Sequence, residues 1–313
     1  MNRKPYYDYH TYLKKHFGAV TYKVSVDAGF TCPNIDGTLA KGGCTYCNNR
    51  SFIPPYLKRS ESLLQQIEQG VSSQRRRYGA ERFLAYFQAY TNTYDHVDRL
   101  RERYRRALDH PDIDGLVIGT RADCLPEEVV SLLEEIARSH YVALEIGIES
   151  VCDETLLRIN RGHTYAVVED AFRRIAGRGI HLGAHLILGF PGEDRAHWLE
   201  TARVVSELPM EYLKIHHLQV VRGTALAEEY QSHPFPLPGF DEWVGLASDF
   251  LEHLDPGIAI ARLCGSAPLH LLIAPRWGRK KHPEVISGVM ETLVTRGSRQ
   301  GSRRQGNDGP LTG

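Results

Sequence analysis

Six segments rich in β-branched and apolar residues, near 20–28, 82–90, 115–122, 141–149, 181–189 and 212–221, recur along this chain. Helical patterns lie between them, at about 60–78, 95–108, 126–139, 153–176 (broken near Gly162) and 194–207. Strands that alternate with helices predict a parallel sheet of right-handed βαβ units. The punctuation agrees: Pro126 precedes Glu127 and Glu128 at a helix start, Asp153 and Asp194 follow strand ends as N-cap residues, and Gly177 and Gly179 suit a helix end.

Neighbouring side chains on a strand point to opposite faces. In 141–149, Val142, Leu144, Ile146 and Ile148 share one face, and Ala143, Glu145, Gly147 and Glu149 share the other. The split recurs as Val24 and Val26 against Lys23, Ser25 and Asp27, as Leu116 and Ile118 against Gly119, Arg121 and Asp123, and as Leu186 and Leu188 against His185 and Gly189. A closed eight-stranded barrel fills its interior with branched apolar residues. A polar, glycine-dotted interior instead predicts an α/β fold built as a partial (incomplete) TIM-like (β/α)6 barrel of parallel strands around a ligand, with a short C-terminal extension. An antiparallel sheet with one solvated face is the alternative, and the intervening helices favour crossovers over hairpins.

The expected organisation is an N-terminal extension (1–19), the core barrel (20–225), a C-terminal extension packed on the barrel (226–296) and a disordered tail (297–313). Pro234, Pro236 and Pro238 break the chain after the barrel; beyond them 240–254 reads as helix, 258–264 as a further strand and 283–296 as a closing helix. The tail from Gly297 is polar and glycine-rich, which is the reason to expect disorder. The N-terminus lacks the apolar stretch of a signal peptide, and no apolar run approaches the roughly 18–20 residues that cross a bilayer. A cytoplasmic protein without a membrane partner is expected. Lys and Arg number 38, as do Asp and Glu, which removes a global electrostatic case for a polyanion. The basic runs Arg75–Arg77 and Arg101–Arg106 read as solvated helix faces, with tRNA contact as the second reading.

Three of the six cysteines, Cys32, Cys44 and Cys47, fall within sixteen positions directly after the first strand, at the rim where α/β folds carry their sites. Pro33, Gly37, Gly42 and Gly43 keep the loop between them irregular, so three thiolates can converge. Cytosolic cysteines stay reduced, and a cluster of them points to a metal. A structural zinc takes four protein ligands, and none follows nearby: His10 and His16 precede the strand and the next histidine is His96. A four-iron cluster normally takes four thiolates, so three leave one iron open. Cys124, Cys152 and Cys264 read as small buried side chains, with Cys124 beside Asp123 also a candidate substrate-side thiol. His216 and His217 point opposite ways on a strand and stay outside the metal set. Glu145 and Glu149 share the inward face and need a positive group opposite, Arg121 or Lys23. Gly189 and Gly192 let backbone approach a ligand.

The phrases Cys32-Pro-Asn, Gly42-Gly-Cys-Thr-Tyr-Cys47 and Asn48-Asn49 resemble the radical S-adenosylmethionine (SAM) superfamily, in its YhcC-like branch related to the catalytic subunit of Elongator. The likeness continues through Phe87–Tyr94, Gly119–Leu125, Glu145–Ser150, Ile159–His163, Leu186–Glu193 and Lys214–Thr224, over about residues 20–280. Most members space their cysteines three and two apart, and the first gap here is longer. The resemblance implies that Cys32, Cys44 and Cys47 hold a 4Fe-4S cluster whose unique iron takes the amino and carboxylate groups of SAM. It implies that Tyr46 packs near the adenine, that Gln88 to Asn92 stand where a Gly-Gly-Glu-like turn, absent here, holds the SAM amine, and that Glu145 and Glu149 meet the ribose or amine. It further implies a flavodoxin- or ferredoxin-type electron donor, reductive cleavage of SAM to a 5′-deoxyadenosyl radical, and hydrogen abstraction from a substrate. RNA modification, with tRNA as the partner, is the first substrate class, and a protein or a metabolite are others. A non-catalytic zinc-stabilised binding protein is the reading from another class.

Overall fold

The computed structural model describes residues 4–49 and 61–304. Seven parallel strands form one sheet in the order β1-β2-β3-β4-β5-β6-β8. They are β1 (Thr21–Val26), β2 (Arg82–Phe87), β3 (Ile113–Arg121), β4 (Tyr141–Glu149), β5 (His181–Leu188), β6 (Tyr212–His217) and β8 (Ala259–Arg262). The first six are those expected from the sequence. The seventh comes from the segment beyond the proline-rich break, so the sheet exceeds the six-stranded expectation by one.

The sheet curls into a half-barrel. Strands stand about 4.8 Å apart, so β1 and β4 would lie about 14 Å apart in a flat sheet. Yet Lys23 of β1 and Lys214 of β6 both reach the carboxylate of Glu145 on β4, and the Lys23 ammonium lies 5.1 Å from the ring centre of Tyr212 on β6. Only an inward curl brings these groups together.

Helices cover the outside: α3 (Leu63–Tyr78), α4 (Val97–Leu108), α5 (Glu127–Ala137), α6 (Asp153–Arg158), α7 (Tyr165–Ile175) and α8 (Arg195–Ser206). The apolar outer faces of the strands, including Val24, Phe83, Leu116, Val142, Leu144, Leu182 and Ile215, are fully buried against them in one core. At about 25 cal/mol per Å² of apolar surface, this layer is the main stabilising term of the fold. The predicted break near Gly162 separates α6 from α7, where Gly162 takes φ +81°. Among the described residues no helix is long and apolar enough to cross a membrane.

The N-terminal extension contains a helix, α1 (Tyr9–Phe17), capped by Asp8, whose carboxylate accepts from the Thr11 amide at 3.1 Å. Its Leu13 packs with Leu84, Tyr86, Val117, Tyr141, Ala143, Tyr212 and Ala259, and Tyr9 and Tyr12 border that cluster. These are inward-facing residues, so α1 closes the N-terminal end of the half-barrel. Ahead of α1, the Ile260 amide donates to the Tyr7 carbonyl at 2.7 Å, and Asp8 bridges to the edge of β8.

The C-terminal part holds α10 (Phe240–His253) and α11 (His282–Thr295), packed on each other, with α10 also against α8. The predicted strand 212–221 is two: after β6 the chain leaves the sheet, and β7 (Val220–Val221) pairs antiparallel with β9 (Leu272–Ala274). The expected disorder from residue 297 is corrected for 297–304. Gln300 is buried, its amide donates to the Asp255 and Ile258 carbonyls at 2.7 and 2.8 Å, and its oxygen accepts from the Tyr7 amide at 3.0 Å. Arg303 meets Glu252, and Arg304 meets Glu207 and Asp255. One buried glutamine satisfying three backbone groups outweighs a polar composition. Residues 305–313 of the predicted tail lie outside the described residues.

Candidate metal and cofactor site

β1 delivers the chain to Cys32, which is the N-cap of the one-turn helix α2 (Pro33–Asp36), and Gly37 ends that turn at φ +92°. Asn34, fully buried, fastens the loop: its amide lies 3.4 Å from Cys44 Sγ, 2.7 Å from the Asn160 carbonyl and 3.2 Å from the Arg161 carbonyl. The loop is laced to the segment after α6 by the Thr45 amide on the Ile159 carbonyl (3.0 Å) and by the Asn160 side chain on the Gly43 carbonyl (2.9 Å). The Cys47 amide turns back to the Cys44 carbonyl at 2.9 Å. As a result Cys32, Cys44 and Cys47, all free thiols, line the mouth of one cavity inside the half-barrel. Burial, together with the proximity of Cys44 and Cys32, pushes the Cys47 thiol up. Deprotonating Cys47 therefore requires a cation, such as a metal, beside its sulfur.

Arg161 is the strongest electrostatic feature beside the thiols. Its guanidinium donates to the Gly147 carbonyl at 2.6 Å, approaches Cys44 Sγ at 3.9 Å and lies 3.8 Å from the Glu149 carboxylate. Arg121 stacks a second charge behind it, forked onto Asp123 at 2.9 and 2.7 Å and donating to the Arg161 carbonyl at 2.7 Å. Arg161 Nε and Arg121 Nη1 are buried without a hydrogen-bond partner among the described residues. Buried unpartnered donors beside three thiols suit an anionic iron–sulfur cube, whose sulfurs accept hydrogen bonds. Among the described residues no group of three or more Cys, His, Asp or Glu side chains is gathered to hold a single metal ion. The donor set fits the larger cluster.

Backbone geometry is concentrated here as well. The positive-φ residues other than glycine among those described are Tyr90 (63°), Glu149 (68°) and Asn160 (56°). Tyr90 and Glu149 line the cavity, and Asn160 holds the cysteine loop. Such conformations cost of order 1–3 kcal/mol each and persist where the surroundings over-determine them. Glu149 sits where the β4–β5 register shifts. Burial raises its pKa against the pull of Arg161, with the Tyr46 hydroxyl hydrogen-bonded to it.

Of the residues implied by the resemblance, Tyr46, Gln88, Glu145 and Glu149 line the same cavity as the cysteines. Tyr46 meets Phe190 edge-on at 5.6 Å, and the Gln88 amide donates to Ser25 Oγ at 2.9 Å. Asn92 and Gly189 are outside the lining. The Asn92 amide is committed to the Ala89 and Gly119 carbonyls at 3.0 and 2.9 Å, so it shapes the turn after β2 rather than facing a ligand. Gly189 faces Leu218 and Pro238. The partner expected for Glu145 is Lys23, joined by Lys214 and by His185 Nε2 at 3.0 Å. Burial opposes the charge of Glu145, but the two lysines and His185 hold its pKa well below the usual range. Arg121 pairs with Asp123 instead. Cys124 lines a neighbouring cleft, its thiol pushed up to about 12 by burial and Asp123. The sequence alone assigns no site role to Asn34, Arg161 or Lys214. The signal was present, since all three stand in the quoted blocks beginning at Cys32, Ile159 and Lys214.

Comparison with known proteins places this geometry. The Radical SAM superfamily model matches residues 39–205, so Cys44 and Cys47 fall inside its span and Cys32 just before it, and the Radical_SAM C-terminal domain model matches 210–292. An uncharacterized protein YtqA of Bacillus subtilis is 36% identical over 298 residues, covering 95% of this chain and 92% of that one. Protein YhcC of Escherichia coli is 36% identical over 266 residues, 85% of each. Among solved structures, the archaeal Methanocaldococcus infernus Elp3 with an N-terminal deletion shares the fold at a TM-score of 0.68 and 16% identity, covering 90% of this chain and 64% of that chain.

Proposed function

This chain belongs to the radical SAM superfamily, whose members use a 4Fe-4S cluster and SAM, and from that membership we propose that it is a radical SAM enzyme acting on a substrate held inside the half-barrel. The observation that carries the reading is the set of three free thiols at one cavity mouth with buried arginine donors behind them. When bound and reduced, the cluster and SAM supply a 5′-deoxyadenosyl radical able to abstract a hydrogen atom.

Cys32, Cys44 and Cys47 would hold three irons as thiolates. Asn34 and Arg161 direct N–H groups at Cys44 Sγ, contacts that would tune the reduction potential of a cluster held there. Arg161 and Arg121 place positive charge behind the anionic centre. Tyr46, Gln88 and Glu149 are the side chains in position to meet SAM, Tyr46 offering a ring face for adenine. α1 and the tyrosines it carries pack over the lower end of the half-barrel, beside the seam between β1 and β8. The electron donor is proposed to be a flavodoxin- or ferredoxin-type protein, the location cytoplasmic and RNA the first substrate class to test.

The test is anaerobic reconstitution with iron and sulfide, followed by dithionite and SAM. An iron–sulfur absorbance and formation of 5′-deoxyadenosine are expected, and Cys44→Ala should lose both. Zinc in stoichiometric amount with no iron in anaerobically purified protein would overturn the reading. Comparing modified nucleosides in tRNA from cells with and without the protein then tests the RNA class.

A further inference from the structure

Below the cysteines the cavity has a second layer of charge. Lys23 from β1 and Lys214 from β6 contact Glu145 from β4, and Arg262 from β8 lines the same cavity as Glu145 and Lys214, close enough to both lysines to lower their pKa values. Three basic side chains thus gather around one carboxylate. The histidines nearby do not alter the count: burial and Lys214 lower His185 to about 4, and burial with Arg262 lowers His216 well below its usual value, so both are neutral. Both lysines contact Glu145, whereas Arg262 has no ion pair or hydrogen bond among the described residues. An excess of buried positive charge is costly unless an anion joins it. Lys214 carries the mark of that excess, since burial, Lys23 and Arg262 bring its pKa to about 7 in spite of Glu145.

Depth separates this layer from the cluster. Glu145 precedes Glu149 by four residues on β4, about 13 Å at 3.3 Å per residue. Gly147 lies between them on the inward face, with the Glu149 carboxylate and the Arg161 guanidinium packed against it. Access is also separate: Tyr86, Gln88, Lys214 and Arg262 line both the inner cavity and a cleft along the open seam between β1 and β8. The Tyr86 hydroxyl, 3.0 Å from Lys214 Nζ, is a further hydrogen-bonding group at the same level.

We propose that Lys23, Lys214 and Arg262 form an oxyanion site on the chamber floor, which takes a carboxylate or phosphate group of the substrate entering through the seam. An ammonium pair and a guanidinium fork are the donors that such groups use. The inference rests on the radical SAM reading for calling the ligand a substrate; the anion site itself does not need the cluster.

Isothermal titration of inorganic phosphate, and separately of acetate, into the full-length reconstituted protein tests it. Saturable one-to-one binding of at least one probe is expected, and which one binds distinguishes a phosphorylated from a carboxylated substrate. Arg262→Gln and Lys214→Met should each weaken binding about tenfold, the loss of one charged contact. Arg262 has no partner to lose, so Arg262→Gln keeps the test open where Lys214→Met fails to fold. No saturable binding of either probe, or affinities unchanged in the variants, overturns the proposal. Displacement of the probe by SAM also overturns it, because the anion would then sit at the rim. Iron content and absorbance of the same preparation report on the cluster independently, and the isotherms are read in cluster-free protein as well.

Discussion

At the scale of single residues, the site depends on side chains that bridge rather than on the thiols alone. Asn34 supplies N–H to one sulfur and to two carbonyls of the segment after α6. Asn34→Ala strands those carbonyls, and about 1–3 kcal/mol of stability should be lost, read by urea unfolding. The affinity for the cluster should fall by about 10–100-fold, as for other groups that orient metal ligands, and iron content after reconstitution measures it. Glu145 is the converse case: a carboxylate with no exposed surface beneath two ammonium groups. Glu145→Gln leaves those charges uncompensated, which for a broken buried pair costs about 3–5 kcal/mol. The lysines can relieve that cost by releasing a proton, so the loss measured at pH 9 should be smaller than at pH 7. Equal losses at the two pH values would rule out charge as the cause.

At the scale of elements, the alternation in 141–149 disclosed both faces of β4, because period-two patterning is local and survives in the sequence. The outward Val142 to Ile148 set is buried under helices, and the inward Glu145 and Glu149 line the cavity. Contacts distant in sequence were less legible. Nothing local says that α1 closes the barrel end, since Leu13 gains its meaning from residues on β2, β3, β4, β6 and β8. Gln300 likewise reads as part of a polar tail until Tyr7, Asp255 and Ile258 are brought to it. The cysteines were legible because their loop carries its own spacing, whereas Arg161 reaches Cys44 across 117 positions. Helix packing has the same character, and glycines test it. A Cβ at Gly70 in α3 would overlap the Val24 side chain on β1, while one at Gly245 in α10 meets nothing within 4 Å. Gly70→Ala should lose about 1–3 kcal/mol through overpacking, and Gly245→Ala should gain about 0.5–1 kcal/mol from helix propensity. Thermal melting distinguishes the two, with iron content unchanged in both.

At the scale of the whole molecule, buried neutral histidines set the response to acid. His185 and His163 are lowered to about 4 and His217 to about 3, burial being the leading cause in each, with Lys214 adding at His185 and Arg161 at His163. The unfolded chain binds these protons near pH 6.5 and the folded protein does not, so stability falls as pH drops from about 6.5 towards 4. Each histidine contributes a slope of up to about 1.4 kcal/mol per pH unit across that window. Glu149 and Glu193 have raised values and act in the opposite direction, since the folded state holds their protons more tightly. His16, His216 and His282 are lowered too, so six histidines against two carboxylates leave the histidines dominant above pH 5. His217 isolates the effect. Its ring stacks on Trp277 at 4.0 Å and accepts from the Gly265 amide at 3.2 Å, outside the lining of the cavity that holds Cys32, Cys44 and Cys47. His217→Phe keeps the stacking, loses one hydrogen bond worth about 1 kcal/mol at pH 7, and cannot take up a proton. Urea midpoints of the variant and the parent should therefore draw together between pH 7 and 6 and cross by pH 5, and parallel profiles would show that His217 is protonated in the fold.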